Sequence, residues 1–252
     1  MANYDNQPRF GATIARGAES AIDAGLRAHM IRVYNYMAIG LVLTGLAAFG
    51  TFSLSFTEVG GQLALTPFGQ ALFGSPLMWV LVLAPLGLVF FLSFRISRMS
   101  VGAAQATFWA YAALLGVSLG SLFAVYTMTS ITQVFIISAG TFGAMSLWGY
   151  TTRRDLTGMG SFLFMGLIGI VIASLVGIFW HSTALQFAIS VVGVLVFTGL
   201  TAYDTQKIKE MYYVGDDGTV AGRKAIFGAL KLYLDFLNLF LMLLRFFGNQ
   251  RR

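Results

Sequence analysis

Lys231, Asp235 and Arg245 sit inside "ALKLYLDFLNLFLMLLRFFG", residues 229–248, and Asp204 closes the apolar run "VVGVLVFTGLTAYD". Charge in such surroundings asks for a chemical reason. Two carboxyl groups brought together in a low-dielectric site cannot both ionise cheaply, so one keeps a proton and the pair titrates as a unit. Protonated, such a pair shares a hydrogen bond. Deprotonated, its members repel each other or recruit a cation.

The elements that would bring Asp204 and Asp235 together are helices. Lys231, Asp235, Asn238, Met242 and Arg245 follow one another at steps of four, three, four and three residues. On a helix of 3.6 residues per turn these positions form one stripe. The remaining faces are mostly Leu and Phe. Asp, Lys or Arg at a bilayer centre each oppose insertion by about 2.5–3.5 kcal/mol, and each Leu or Phe returns only about 0.3–0.6 kcal/mol. From Leu232 to Phe247 the predicted helix is about 24 Å long, against a hydrocarbon core of about 30 Å. A short helix with a polar stripe belongs inside a bundle, its stripe facing partners or water. The alternative is that Lys231 and Arg245 reach out to opposite interfaces. That does not account for Asp235, whose side chain is short. With Lys231 at one interface, Asp235 lies about 6 Å deeper, a level that Asp204 can share.

The bulk composition agrees with a membrane bundle. Of 252 residues, 57% are hydrophobic and 10% charged, with 29 Gly and no Cys. Soluble domains carry about 25% charged residues. Six stretches have the apolar length of a span: Val33–Phe52, Leu77–Phe94, Ala106–Tyr126, Ile131–Tyr150, Phe162–Trp180 and Leu185–Tyr203. A seventh covers about Ile226–Phe247. The predicted fold is an all-α integral membrane protein, a seven-helix bundle. Residues 1–32 are expected to be a polar tail, with a short surface helix near Ala18 to Met30, and residues 33–252 the membrane domain.

The loops after spans one, three and five contain no Lys or Arg. Arg95, Arg98, Arg153, Arg154, Lys207, Lys209, Arg223 and Lys224 follow spans two, four and six, and Arg9, Arg16, Arg27 and Arg32 precede span one. Positive charge marks the cytoplasmic side, so the N-terminus is expected inside. The net charge of +6 therefore reports orientation rather than a nucleic-acid partner. Arg251 and Arg252 break the rule if span seven crosses fully.

Other motifs carry less chemistry. "GVSLG", residues 116–120, has the Gly-x-Ser-x-Gly pattern of a nucleophile elbow. That motif needs a strand–turn–helix setting and a His partner. Ser118 lies mid-helix, with His29 and His181 expected on opposite sides of the membrane. Gly116 and Gly120 read better as a small-residue packing face. An intramembrane aspartyl protease would also use two Asp on neighbouring helices, but no Pro-Ala-Leu accompanies Asp235. No enzyme is expected, and no cofactor. An inverted repeat with broken helices, the mark of many exporters, is not visible.

"GLTAYDTQKIKEMY" followed by "ALKLYLDFLNLFLMLLRFFG" resembles the paired C-terminal signature of the Bax inhibitor family, and "RVYNYMAIGLVLTGLAAF" is similar to its bacterial members. The resemblance runs from residue 31 to 248. It implies that the last helix is central and wrapped by the other six. It implies a hydrogen-bonded pair of Asp204, within Tyr203-Asp204-Thr205-Gln206, and Asp235, within Leu234-Asp235-Phe236. Lys231, Asn238 and Arg245 would support the pair. A basic residue near the end of helix two, Arg95 or Arg98, would form a salt bridge with Asp204. The implied activity is a pH-sensitive calcium leak, with Ca²⁺ permeating or transiently bound at Asp204 and Asp235, in a bacterial plasma (inner) membrane. The alternative is a non-conducting regulator that binds a membrane protease or another membrane complex. One departure from the family is the longer segment "YYVGDDGTVAGRK", residues 212–224.

Overall fold

The computed structural model describes residues 10–180 and 182–251; between residues 10 and 21 it describes the backbone alone. The helices are α1 Phe10–Ser55, α2 Pro67–Phe73, α3 Leu77–Arg95, α4 Val101–Leu119, α5 Leu122–Val125, α6 Met128–Thr151, α7 Thr157–Phe179, α8 Thr183–Glu210 and α9 Gly218–Phe247. Strands β1 Phe56–Val59 and β2 Gln62–Leu65 form a hairpin after α1. Among the described residues seven helices are long and apolar enough to cross a membrane: α1, α3, α4 continued by α5, α6, α7, α8 and α9. The chain is thus an all-α multi-span membrane protein, as its composition predicts.

Local sequence sets where the helices start. Ser100, Thr127, Ser182 and Asp217 each accept a hydrogen bond from the amide three residues on, capping α4, α6, α8 and α9. Such caps satisfy amides that have no partner within the helix. The hairpin turns at Gly60 and Gly61, with φ of 60° and 81°. Two successive positive φ values are what a two-residue turn between right-twisted strands requires, and glycine adopts them freely.

Helix α9 forms the core. In its most apolar stretch 72% of the residues are buried, against 11–33% in the other six spans. Helices α1, α6 and α8 pack along it, α4 touches it, and α7 packs outside on α8. The packing is close where glycines permit it. A Cβ at Gly116 would lie 2.4 Å from the Thr44 carbonyl oxygen, and one at Gly149 would lie 2.2 Å from that of Ala202. Gly116 and Gly120 indeed form the face on which α4 meets α1.

Two expectations are corrected here. Helix α1 runs unbroken from Phe10 to Ser55, so there is no structural boundary between residues 32 and 33. His29 is buried against Tyr212, their rings 5.9 Å apart, rather than standing in a solvated tail. Helix α9 is also longer than expected. It takes in Gly218–Arg223 and Lys224 and has 30 residues, about 45 Å at 1.5 Å per residue. Its C-terminal end lies beside the α5–α6 turn: Thr127 donates its amide to the Asn249 carbonyl, and Arg251 donates to that of Val125. The last helix therefore traverses the whole bundle. Arg9, His181 and Arg252 lie outside the described residues, and the side chain of Arg16 does too.

Candidate functional site

Helices α7, α8 and α9 enclose a cavity of about 650 Å³ in the half of the bundle nearer the basic loops. Helix α8 contributes Tyr203 and Asp204, α9 contributes Lys231, Asp235 and Asn238, and α7 contributes Gly160 and Ser161. The spacing of the stripe explains the α9 set, since steps of four and three residues return to one face. Gly160 lets the Tyr203 ring lie against α7, for a Cβ there would come within 2.3 Å of it.

Asp204 is held by a cation. Lys231 Nζ lies 3.1 Å from its Oδ1, with side-chain exposures of 34% and 13%. The same ammonium stands 5.7 Å from the centre of the Phe227 ring. Asp235 lies deeper, 5% exposed, and the charged groups that face it are Asp204 and Lys231. Its Oδ2 is buried and receives no N–H or O–H donor among the described residues. A buried polar atom left in this state is costly. A proton shared with Asp204 or a passing cation would satisfy it. Asn238 donates to the Leu234 carbonyl at 2.9 Å, which leaves its own amide oxygen to the cavity. Oxygen atoms are offered to the cavity by Asp204, Asp235, Asn238, Ser161 and Tyr203. No cluster of three acidic, His or Cys ligands exists among the described residues.

The family signature can now be weighed against this geometry. The sequence profile described as "Inhibitor of apoptosis-promoting Bax1" matches residues 26–252. The chain belongs to the Bax inhibitor family. Inner membrane protein YbhL of Escherichia coli is 48% identical over 232 residues, covering 90% of this chain and 94% of its own. An uncharacterized protein of Rickettsia prowazekii is 48% identical over 229 residues, 91% of this chain and 92% of that one. A Caulobacter vibrioides relative is 46% identical over 241 residues, 93% of each.

Within this Bax inhibitor fold the predicted residues divide into groups. Asp204, Asp235, Lys231, Asn238 and Tyr203 meet in one cavity. Thr205 and Gln206 point elsewhere and hold the scaffold. Gln206 donates to the Arg154 carbonyl at 2.8 Å and accepts the Leu156 amide at 2.9 Å, fixing the α6–α7 connection to α8. Arg245 is exposed and takes no part in the cavity. Arg95 and Arg98 are exposed too and form no ion pair among the described residues; the counter-ion of Asp204 is Lys231. The reason is topological: α3 packs on α4 and does not neighbour α8. Ser118 donates to the Leu81 carbonyl, so it ties α4 to α3.

A buried chain of hydroxyls was not foreseen. Tyr34 Oη lies 2.6 Å from Ser146 Oγ, which lies 2.9 Å from Thr205 Oγ1, and Thr205 donates to the Thr201 carbonyl at 2.7 Å. It links α1, α6 and α8 next to Asp204. A second knot joins Tyr233 on α9 to Thr44 on α1 at 2.6 Å, with the Ala112 carbonyl of α4 2.9 Å from Thr44. The sequence offers isolated hydroxyl residues in apolar spans as its only signal of either.

Proposed function

We propose that this Bax inhibitor family protein is a proton-controlled cation leak, with calcium as the permeating ion and Asp204 and Asp235 as the controlling pair. The observation that carries the reading is the buried Asp235 oxygen without a donor, in a cavity that also holds Asp204 and its counter-ion Lys231. Two carboxylates that face one cavity are held together by a shared proton or by a cation between them. With that proton in place α8 and α9 are tied. When it leaves, repulsion is relieved by a cation in the cavity or by separation of the helices. Lys231 competes for that role as a tethered positive charge. The membrane is taken to be a bacterial inner membrane, by likeness to YbhL, with the N-terminus on the cytoplasmic side by the distribution of basic residues.

The test is calcium flux across liposomes carrying the purified chain as pH is varied. Asp204→Asn and Asp235→Asn should each flatten the pH response. An unchanged profile in both variants would remove the mechanism.

A second reading is favoured by one feature. On the face of α9 away from the polar cavity, the space between α1, α6 and α9 is only about 100 Å³, lined by residues such as Leu41, Phe135, Leu237 and Phe240. A non-conducting regulator that docks on a membrane protease or another membrane complex needs no path there. Flux from the reconstituted chain alone separates the two readings, since a regulator gives none.

A further inference from the structure

Helix α1 packs on α4 and α9, and α6 packs on α8 and α9, which leaves a gap between α1 and α6. The gap is a cleft of about 570 Å³ at the end of the bundle where the basic residues gather. That is the size range of sites for small amphipathic ligands. Its flanks are apolar: Ile31 and Leu147 line it and stand 49% and 63% exposed on the face the bilayer would cover. The hydroxyls of Tyr34 and Ser146 form part of its wall. Arg27 lies at its mouth, exposed and without an acidic partner among the described residues. A second cation stands close by, as Lys209 donates to the carbonyl of Tyr150, another lining residue, at 2.9 Å. No acidic side chain lines the cleft.

An apolar slot open to lipid, with cations at its interfacial end and no acid inside, matches one class of molecule. We propose that the α1–α6 cleft binds an anionic phospholipid of the surrounding bilayer. The phosphate sits at Arg27, and an acyl chain runs between Ile31 and Leu147. Basic pockets between spans on the cytoplasmic side select anionic headgroups in this way. The ligand would touch Tyr34, the first member of the hydroxyl chain that ends at the Thr201 carbonyl. The proposal does not depend on calcium conduction.

Native mass spectrometry of the full chain, released from micelles doped with equal phosphatidylglycerol and phosphatidylcholine, tests it. The natural chain should retain phosphatidylglycerol preferentially. Arg27→Gln should reduce that preference roughly fivefold, the worth of one cation near an anionic surface. Gly143 lines the cleft, and a Cβ there would meet no atom within 4 Å. Gly143→Leu therefore fills the slot without forcing the helices apart and should exclude both lipids. Thermal melting of both variants confirms that they fold. Equal retention of the two lipids by the natural chain overturns the proposal. So does undiminished phosphatidylglycerol binding in both variants, or a dimer that only Gly143→Leu disrupts, which would make a second copy the occupant.

Discussion

In one half of the bundle α9 faces about 650 Å³ with Lys231, Asp235 and Asn238 in its wall. On its opposite face it meets about 100 Å³ walled by Leu237, Phe240 and Leu244, with Leu41 on α1 and Phe135 on α6 across from them. The first space has room for water and side chains that can exchange a proton or meet a cation. The second is lined almost wholly by hydrocarbon, with Thr44 as its one hydroxyl residue. Polar and apolar surroundings thus lie on opposite faces of the same helix. In the leak proposed above, only the polar face offers groups that could control an ion.

That division can be broken by mutation. Asp235→Asn touches only the polar face and should have the largest effect, loss of the pH response of calcium flux. Phe240→Ala touches only the apolar face. It should leave the shape of the pH profile of flux as in the natural chain. A change of shape would show that the faces are not separate. Removing a buried Phe also costs about 3–5 kcal/mol of stability, so flux is compared at equal amounts of folded protein.

Smaller effects sharpen the comparison by probing the scaffold behind the polar face. Gly149→Ala places a methyl 2.2 Å from the Ala202 carbonyl oxygen, and overpacking of this kind costs about 1–3 kcal/mol. Gly143→Ala, one helix face away in open space, should leave the melting temperature unchanged. Equal melting of the two variants would mean that α6 and α8 are free to part.

The smallest effect concerns the turn before α7. Asp155 accepts the Thr157 amide at 2.9 Å, and its bonds with the Thr157 side chain and backbone hold its carboxyl below the usual range. A group lowered in the folded state stabilises above its unfolded value, about 3.9, and that contribution is lost as pH falls through the folded value. Protection of the Thr157 amide, relative to an unfolded chain at the same pH, should therefore fall in acid, below about pH 4, and Asp155→Asn should show the lower protection already at neutral pH.

Much of this arrangement was legible in the residues. Apolar length located all seven spans, and the step pattern of Lys231, Asp235 and Asn238 placed them on one face. Other features were not legible, because they depend on distance in sequence. The Tyr34–Ser146 contact joins residues 112 apart, and Ser146–Thr205 joins residues 59 apart. No local period encodes such pairs. The counter-ion of Asp204 was sought on helix two because the family resemblance suggested it. Spacing put Lys231 on the correct face of α9, but which neighbour that face meets is decided by packing. The hairpin was missed although Gly60-Gly61 between two short alternating runs is its usual signal.

The main-chain stitches at the end of α9 carry a mechanical consequence. Asn249 and Arg251 are laced to Val125, Thr127 and Ser130 by their backbone atoms. At the opposite end the rod is moored to its neighbours by side chains, Arg223 to Ser97 among them. Motion of α9 that preserves these main-chain bonds would swing about that tip, and the travel of Asp235 would then be an arc whose sweep shortens toward Phe247.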